Sequence, residues 1–517
     1  MNKRKRSWQA AGAVLLGTSL VVSACGGTGS SGSTDGGAKG TSPDGGKTEI
    51  TEITMNTLSY GTEFPDDNNA IVKEFEKRTN TKLKIDWVPA TTAEDKFNVL
   101  YASGNLPDLT FVEDLDNQQI RNMIKQGVFW DLTPFIKDYK NLSNPAIKDM
   151  WEMSKIGGKN YSVPRFYPKH GGGVFPMLRK DWLDKLNLKV PETMDQLFDT
   201  LKAFKDGDPD GNGKADTIPY SASAAYMGFV YNVYNDTQGA WKLRDGKLYP
   251  IITEDASRDA LLWLKKAYDA GLFPPDFAIM KFSQINDTLH AGKAGGAGYA
   301  MNAALSRTVE IKKVVPEANL IPLVSLAGPS GSKYTPSGAP FYGHFLIPKK
   351  VSEAKVKKIL SFLDYGYSPE GNELANYGVK DVHFNEKDGL KVPTDQFKKD
   401  KVEEGFQYIF LKLSDEQVLG DPSLTTKEIY ARNQSILDER KKIIVPNPAF
   451  GLVSESNTKL MPDLKKKVDD MRVKVILGQE SMQAYDDFIK KLKEDPNLKK
   501  IEKEMNDAYA EKAAAAK

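Results

Sequence analysis

The stretch that decides the fold is residues 50–112, which opens with Ile50-Thr51-Glu52-Ile53-Thr54-Met55. Apolar and polar residues alternate here, as they do again in Leu83-Lys84-Ile85-Asp86-Trp87, and this period of two predicts β-strands. Amphipathic segments around Phe75 and Phe97 separate these strands from a third apolar run, Asp108-Leu109-Thr110-Phe111-Val112. A strand–helix–strand–helix–strand order predicts an α/β lobe with a largely parallel sheet.

Ligands of open α/β sheets bind outside the carboxyl ends of the strands. The loops that begin at Ser59 and Glu113 follow the first and third predicted strands. Further along, helices are predicted over 194–204 and 255–270 and from about Ser481 onward, and a strand over 298–302. Trp87, Trp182 and Trp263 are predicted to lie in the core. The segment Gly157 to Pro164 interrupts the pattern, and we expect the chain to cross between two lobes there.

The N-terminus has the pattern of an export signal. Four basic residues, Lys3 to Arg6, precede a short run of apolar and small residues that ends at Ala24. Such an n-region and h-region predict a signal peptide over residues 1–24. Cys25, the only cysteine in 517 residues, would become the new N-terminus after cleavage. This arrangement resembles a bacterial lipobox, which implies lipidation of Cys25 and a membrane anchor.

Residues 26–47 contain almost no apolar side chains, and their Gly- and Ser-rich composition predicts a flexible linker behind the anchor. About 20 residues of this kind reach roughly 25 Å. The remaining chain exceeds the length that one hydrophobic core usually serves, so two lobes or more are expected. The formal charge of +2 falls to about −2 without the four basic signal residues. This balance gives no reason to expect nucleic acid as a partner.

The order of several motifs resembles the extracellular solute-binding proteins of ATP-driven importers, specifically the large sugar-binding lipoproteins of Gram-positive bacteria. The motifs are the lipobox at Cys25, the segment 158–164, Arg179 to Leu183, Pro191 to Thr193, the Asp208 to Gly213 loop, and Gly478 to Ser481 with the charged helix after it. The resemblance implies a periplasmic-binding-protein-like fold with a ligand cleft between two lobes. We expect one lobe to comprise residues 48–164 and about 280–335, and the other about 165–279 and 336–517.

The resemblance implies a monomeric, lipid-anchored protein at the outer face of the cell membrane. It would capture an oligosaccharide and deliver it to the permease subunits of an ABC transporter, without catalysis. The alternatives are an exported polysaccharide hydrolase or lyase, and a sensory or adhesive lipoprotein that binds a sugar or a peptide. The sequence contains no His-Glu-x-x-His zinc motif, Gly-x-Ser-x-Gly elbow or phosphate-binding loop. Acidic residues are numerous, so the sequence does not exclude a glycosidase pair.

An oxygen-rich loop provides the clearest chemical motif. Asp208, Asp210 and Asn212 occupy positions 1, 3 and 5 of a calcium loop, and Gly213 stands at the sharp turn. The expected ligands of a structural Ca²⁺ are Asp208, Asp210, Asn212, the carbonyl of Lys214, Asp216 and Thr217. Position 12 is Pro219 instead of glutamate, and Thr217 stands where calcium-binding relatives have an acid. The alternative is an Asp/Gly/Asn surface turn without metal.

Sugar recognition uses aromatic faces and planar polar groups. Such side chains in predicted loops and at predicted strand ends are the candidates for ligand contact. They are Tyr60, Glu63, Asp114, Arg165, Tyr226, Trp241, Asn302, Tyr342 and His344.

Overall fold

The computed structural model describes residues 50–515, except for 61–62, 116, 172, 388, 421–423 and 453. The predicted signal peptide, Cys25 and the linker therefore lie outside the described residues. The described residues form one compact unit.

The strands alternate with helices through most of the chain. In chain order the strands are β1 (Thr51–Ser59), β2 (Thr81–Pro89), β3 (Thr110–Val112), β4 (Ser162–Phe166), β5 (Phe175–Arg179), β6 (Trp241–Arg244), β7 (Lys247–Pro250), β8 (Gly296–Tyr299), β9 (Leu320–Pro322), β10 (Leu326–Ala327), β11 (Lys333–Tyr334), β12 (Phe341–Leu346), β13 (Phe384–Lys387) and β14 (Leu390–Pro393).

The helices are concentrated in the last third of the chain. They are α1 (Ala70–Thr79), α2 (Ala93–Ser103), α3 (Gln118–Lys125), α4 (Lys148–Met153), α5 (Lys180–Lys185), α6 (Met194–Asp206), α7 (Gly228–Asn235), α8 (Asp255–Asp269), α9 (Phe282–His290), α10 (Ala303–Lys312), α11 (Glu353–Gly366), α12 (Pro369–Tyr377), α13 (Asp395–Lys399), α14 (Asp415–Val418), α15 (Lys427–Lys442), α16 (Glu455–Ile476), α17 (Met482–Lys493) and α18 (Pro496–Ala515).

The first lobe begins with the predicted strand–helix–strand unit. The side chain of Asn69 accepts a hydrogen bond from the Ile71 N–H and caps α1, and Asn80 ends the helix in the left-handed conformation. The chain then returns as β2, which pairs with β1 in parallel along its whole length. A parallel bridge between Met55 and Leu109 continues the sheet toward β3. The prediction of this unit is confirmed.

The middle of the first-lobe sheet contains a strand from far along the chain. β12 lies between β3 and β4 and is antiparallel to both, with Phe345 opposite Phe111 and Val163. The sheet is therefore mixed rather than parallel throughout. The second lobe has a three-stranded antiparallel sheet in the order β8-β5-β9. Parallel bridges from Ile218 and Ser221 extend it on the β8 side.

The hydrophobic cores divide the chain differently from the expected lobes. One core contains side chains from Ile53 to Val163 together with side chains from Phe345 to Phe410. The core of the second lobe contains the segment from Phe175 to Tyr334 and the chain after 418. Segments 280–335 and 345–410 thus belong to the opposite lobes from those expected, because β12 completes the first sheet and α11 and α12 cover it.

Among the described residues, three segments connect the lobes: 167–174 without 172, 335–340 and 411–417. The first two are hydrogen-bonded to each other, from Tyr167 N to Pro340 O (2.9 Å) and from Gly338 N to Lys169 O (2.7 Å). The expected crossing at 157–164 instead forms a turn and β4 within the first lobe, where Val163 is fully buried. The crossing lies directly after β4.

Other sequence predictions are confirmed. α6 and α8 match the predicted helices, and α17 and α18 form the predicted helical C-terminus. Trp87, Trp182 and Trp263 lie in the cores. In the part of the chain that the structure describes, no helix combines the length and apolar character needed to cross a membrane.

Candidate ligand-binding site

A cavity of about 360 Å³ lies between the two lobes. The first lobe contributes Asp114, which follows β3, and Phe341 and His344 of β12. The second lobe contributes Trp241 at the start of β6 and the loop between α15 and α16. The fold thus brings together three of the nine predicted ligand residues: Asp114, Trp241 and His344.

His344 is held neutral at the floor of this cavity. Its side chain is buried, Nδ1 lies 3.2 Å from the hydroxyl of Ser162, and the ring packs against Phe341 at 4.7 Å between centroids. Burial, and next the positive charge of Arg165, lower the pKa of His344 to about 3. A neutral imidazole offers one donor and one acceptor, which suits contact with hydroxyl groups.

Tyr60 and Tyr342 form a second group of predicted residues at the carboxyl ends of the first-lobe strands. Their hydroxyls lie 2.7 Å apart, and the Tyr342 hydroxyl donates to Glu113 Oε1 at 2.9 Å. Burial, followed by the hydrogen bond with Tyr60, raises the pKa of Tyr342. Tyr60 remains 61% exposed, and its ring lies 6.2 Å from that of Tyr408. The cluster presents aromatic faces and hydroxyls at the edge where ligands of α/β sheets bind.

Arg165 supports this aromatic cluster from below. Its guanidinium lies 4.8 Å from the ring centroid of Phe111 and 6.0 Å from that of Tyr342, and Nη2 donates to the carbonyl of Tyr408. Arg165 is 1% exposed, and burial lowers its pKa to about 10. Arg165 does not line the cavity, so the structure places it as a support for Tyr342 and Tyr408.

The other candidates lie elsewhere. Glu63 pairs with Lys401 at 3.0 Å within the first lobe. Tyr226 is partly exposed on the second lobe and packs against Phe282, with ring centroids 5.4 Å apart. Asn302 immediately precedes α10 without capping it by its side chain. None of Glu63, Tyr226 and Asn302 lines the interlobe cavity.

The loop between α15 and α16 supplies cavity residues that sequence reasoning missed. The ring of Phe450 lies 6.1 Å from that of Phe341 across the lobes. Asn447 lines the cavity and packs against Gly239, where a Cβ would come within 2.8 Å of the amide nitrogen. Lys512 donates to the Phe450 carbonyl at 2.7 Å and holds the loop on α18. In the sequence, Pro446-Asn447-Pro448 indicates a turn between two helices but not contact with a ligand.

The predicted calcium loop is compact and closed by its own hydrogen bonds. The carboxylate of Asp208 accepts from the N–H groups of Asn212 and Gly213, at 3.2 and 3.0 Å. The Asn212 amide nitrogen donates to both Asp210 and Asp216, at 2.9 Å each. The hydrogen bond with Asp210 lowers the pKa of Asp208, whereas burial and then the neighbouring Asp208 raise the pKa of Asp210.

Two acids of the loop, Asp210 and Asp216, therefore meet at the side-chain amide of Asn212. Among the described residues, no group of three or more acidic, His or Cys side chains is arranged to hold a metal ion. The amide nitrogen stands between Asp210 and Asp216, and rotation of this amide would present its oxygen to the same centre. Thr217 Oγ1 is buried and has no hydrogen-bond partner within the described part of the chain. This donor set fits a hard cation such as Ca²⁺.

Two α/β lobes, three connecting segments and a cavity lined from both sides define a two-lobe ligand-binding protein. The chain belongs to the bacterial extracellular solute-binding protein family, whose model matches residues 61–373.

Two curated relatives match most of the chain. It is 32% identical over 464 residues to lipoprotein LipO of Bacillus subtilis strain 168, covering 86% of this chain and 90% of LipO. It is 31% identical over 448 residues to YtcQ of the same strain, a polygalacturonan/rhamnogalacturonan-binding protein, covering 85% and 87% of the two chains.

Two solved structures share the fold over nearly their whole length. The alginate-binding protein AlgQ2 without calcium ion has a TM-score of 0.64 and 21% identity, covering 90% of this chain and 99% of AlgQ2. The Streptococcus pneumoniae substrate-binding protein FusA, as an EF-hand mutant with fructo-nystose, has a TM-score of 0.65 and 20% identity. It covers 90% of this chain and 100% of FusA.

Proposed function

We propose that this protein captures an oligosaccharide in the interlobe cavity and delivers it to the permease subunits of an ABC transporter. The observation that carries the proposal is the composition of the cavity. The aromatic rings of Trp241 and Phe450 come from one lobe and that of Phe341 from the other, beside the carboxylate of Asp114 and the amide of Asn447. Aromatic faces stack on sugar rings, and planar polar groups pair with their hydroxyls.

The names of the relatives support the same ligand class. YtcQ binds polygalacturonan or rhamnogalacturonan, and the FusA structure holds a fructo-oligosaccharide. Both are carbohydrate-binding proteins, so a carbohydrate is the ligand that this chain shares with them. Family membership does not favour the hydrolase, lyase, sensory or adhesive alternatives.

The three connecting segments supply the mechanism of capture. The two hydrogen-bonded crossings and the segment 411–417 are the connections about which the lobes would rotate, as in hinge-closing proteins. A ligand that contacts Trp241 and Phe341 together stabilises the closed arrangement, because it adds contacts only when both lobes meet it. The closed form is the one presented to the permease.

We further propose that lipidated Cys25 anchors the protein at the outer membrane face, as the name of its relative LipO suggests. In the Asp208–Asp216 loop, Ca²⁺ would be held by Asp208, Asp210, Asp216, the Asn212 oxygen and the Lys214 carbonyl, with the Thr217 hydroxyl filling the place of the missing acid. The ion would link the carboxylates and stiffen the second lobe.

Calorimetry on the purified full-length protein tests the ligand class. Galacturonan, rhamnogalacturonan and fructan oligosaccharides of two to six units form the panel, with free amino acids and tripeptides as comparators. Saturable binding of at least one oligosaccharide is expected, and chromatography of the mixture should recover the ligand intact. Binding of peptides alone, or release of shortened products, would overturn the proposal.

A further inference from the structure

A groove lined by both polar and apolar side chains lies on the first lobe, apart from the interlobe cavity. It lies between β2, α2 and the loop 104–107, and consists of two cavities of about 620 and 500 Å³. The two cavities share Asn56, Asp86, Leu100 and Asn105, so they form one continuous groove. No residue lines both this groove and the interlobe cavity.

The floor of the groove contains an amide group with an unused donor. Asn56 is 2% exposed, and its side-chain oxygen accepts from the Phe111 N–H at 2.9 Å. Its side-chain nitrogen has no hydrogen-bond partner among the described residues. A buried amide donor without an acceptor is unfavourable for the folded state. An oxygen atom of a bound molecule would satisfy this donor.

An acceptor lies beside this donor. Asp86 is opposite Asn56 in the parallel register of β1 and β2, and both line the two cavities. The Asp86 carboxylate is exposed, and no partner is found for it in the described ranges. A hydroxyl group accepts from an amide and donates to a carboxylate at the same time, so this pair matches the hydroxyls of a sugar.

The walls of the groove contain apolar side chains, and the charged side chains around it balance to no net charge. Val99 is 70% exposed and lies with Val88 and Leu100 along one wall, where the C–H face of a sugar ring can pack. The charged side chains are balanced in sign: they are Asp67, Asp86 and Asp95 with Lys84, Lys96 and Lys350. A groove without net charge has no preference for an anionic or a cationic polymer.

We propose that this groove is a second carbohydrate-contact site, which holds a neutral polysaccharide chain on the outer surface of the first lobe. The site is independent of the interlobe cavity. It would keep the anchored protein close to the polymer from which its oligosaccharides are released.

Affinity electrophoresis in native gels tests the proposal. The gels contain dextran, galactan or galactomannan, with polygalacturonate as the charged comparator. The double variant Asp86→Ala/Asn105→Ala removes exposed polar groups from the groove. Glu52→Ala removes an exposed carboxylate from β1 outside the groove and serves as the matched control. Asp114→Ala/Phe450→Ala impairs the interlobe cavity instead.

At least one neutral polymer is expected to retard the wild type, the Glu52 control and the cavity variant equally. The groove variant should show at least a threefold higher apparent Kd for that polymer while keeping its oligosaccharide affinity in calorimetry. Equal retardation of the groove variant and the wild type would overturn the proposal, as would retardation that disappears with the cavity variant. Absence of retardation in every neutral gel, with oligosaccharide binding retained, would refute the groove and leave the proposed function intact.

Discussion

The hydroxyl oxygens of Tyr60 and Tyr342 lie 2.7 Å apart although 282 residues separate them in sequence. Tyr60 follows β1, and Tyr342 belongs to β12, the strand that enters the first-lobe sheet from far along the chain. Their contact, extended to Glu113, joins the ends of three strands at one edge of the first-lobe sheet.

Tyr342→Phe should lower the free energy of unfolding by about 1 kcal/mol. The change removes a hydrogen bond to Glu113, which is worth about 1 kcal/mol, and leaves the ring in place. Urea denaturation at neutral pH measures the effect. Tyr249→Phe on the β6–β7 hairpin is the matched control, and an equal loss in that variant would show that the effect is not local.

Phe450→Ala should lower ligand affinity at least tenfold. The variant removes the aromatic ring that the second lobe presents opposite Phe341 and enlarges the cavity between the lobes. Val382→Ala removes an exposed apolar side chain from the first lobe and should bind like the wild type. Unchanged affinity of the Phe450 variant would place the ligand outside this cavity.

Ca²⁺ should raise the melting temperature, and EDTA should lower it. A ligand at 100 times its Kd stabilises the folded state by about 2.7 kcal/mol. Asp210→Asn should abolish the response because it removes one of the carboxylates around Asn212. Asp206→Asn is the control, because Asp206 pairs with Lys202 outside the loop. The melting temperature of this variant should still respond to Ca²⁺ and EDTA. A wild-type melting temperature that is insensitive to Ca²⁺ would contradict the metal assignment.

His344 should make folding less favourable at acid pH. In the unfolded chain its pKa is ordinary, about 6.5, whereas in the folded protein it is about 3. The unfolded state therefore binds the extra proton between these values, so this contribution to stability is complete above pH 6.5 and decreases as the pH falls toward 3. The loss reaches up to about 1.4 kcal/mol per pH unit within this window.

Urea denaturation of His344→Gln between pH 7 and 4.5 measures this contribution. The variant should lose stability less steeply with falling pH than the wild type. His170→Gln, in the first connecting segment, is the comparison. A slope for His344→Gln equal to that of the wild type would show that the imidazole is not responsible.

Local pattern predicted much of this structure. Apolar residues alternate with polar ones at Ile53 and Met55 and again at Leu83 and Ile85. This alternation is typical of strands whose two faces have different surroundings, and both strands form as predicted. The acidic first turn and the Gly271 stop of α8 likewise act within a few residues. Such signals depend on neighbouring residues only, so a single sequence contains them.

The distribution of the chain between the lobes could not be predicted in this way. Phe341 to Leu346 is as apolar as a strand of either lobe, and its place between β3 and β4 depends on partners more than 170 residues away. The same limit applies to the cavity. Asp114, Trp241 and His344 were candidates by residue type, whereas Phe450 and Asn447 carry no local signal for a ligand and reach the cavity only because α15 and α16 place their loop between the lobes.

The sequence by itself determined the α/β character, the two-lobe class and the family, because strand and helix periods and ordered motifs are local properties of the chain. It also predicts an export signal and lipidation of Cys25, which stay predictions, and it has the acids of the Asp208 loop at calcium-loop spacing. Only the tertiary structure decided which segments share a core and which side chains line the cavity and the groove, because both depend on burial between residues that lie far apart in the chain.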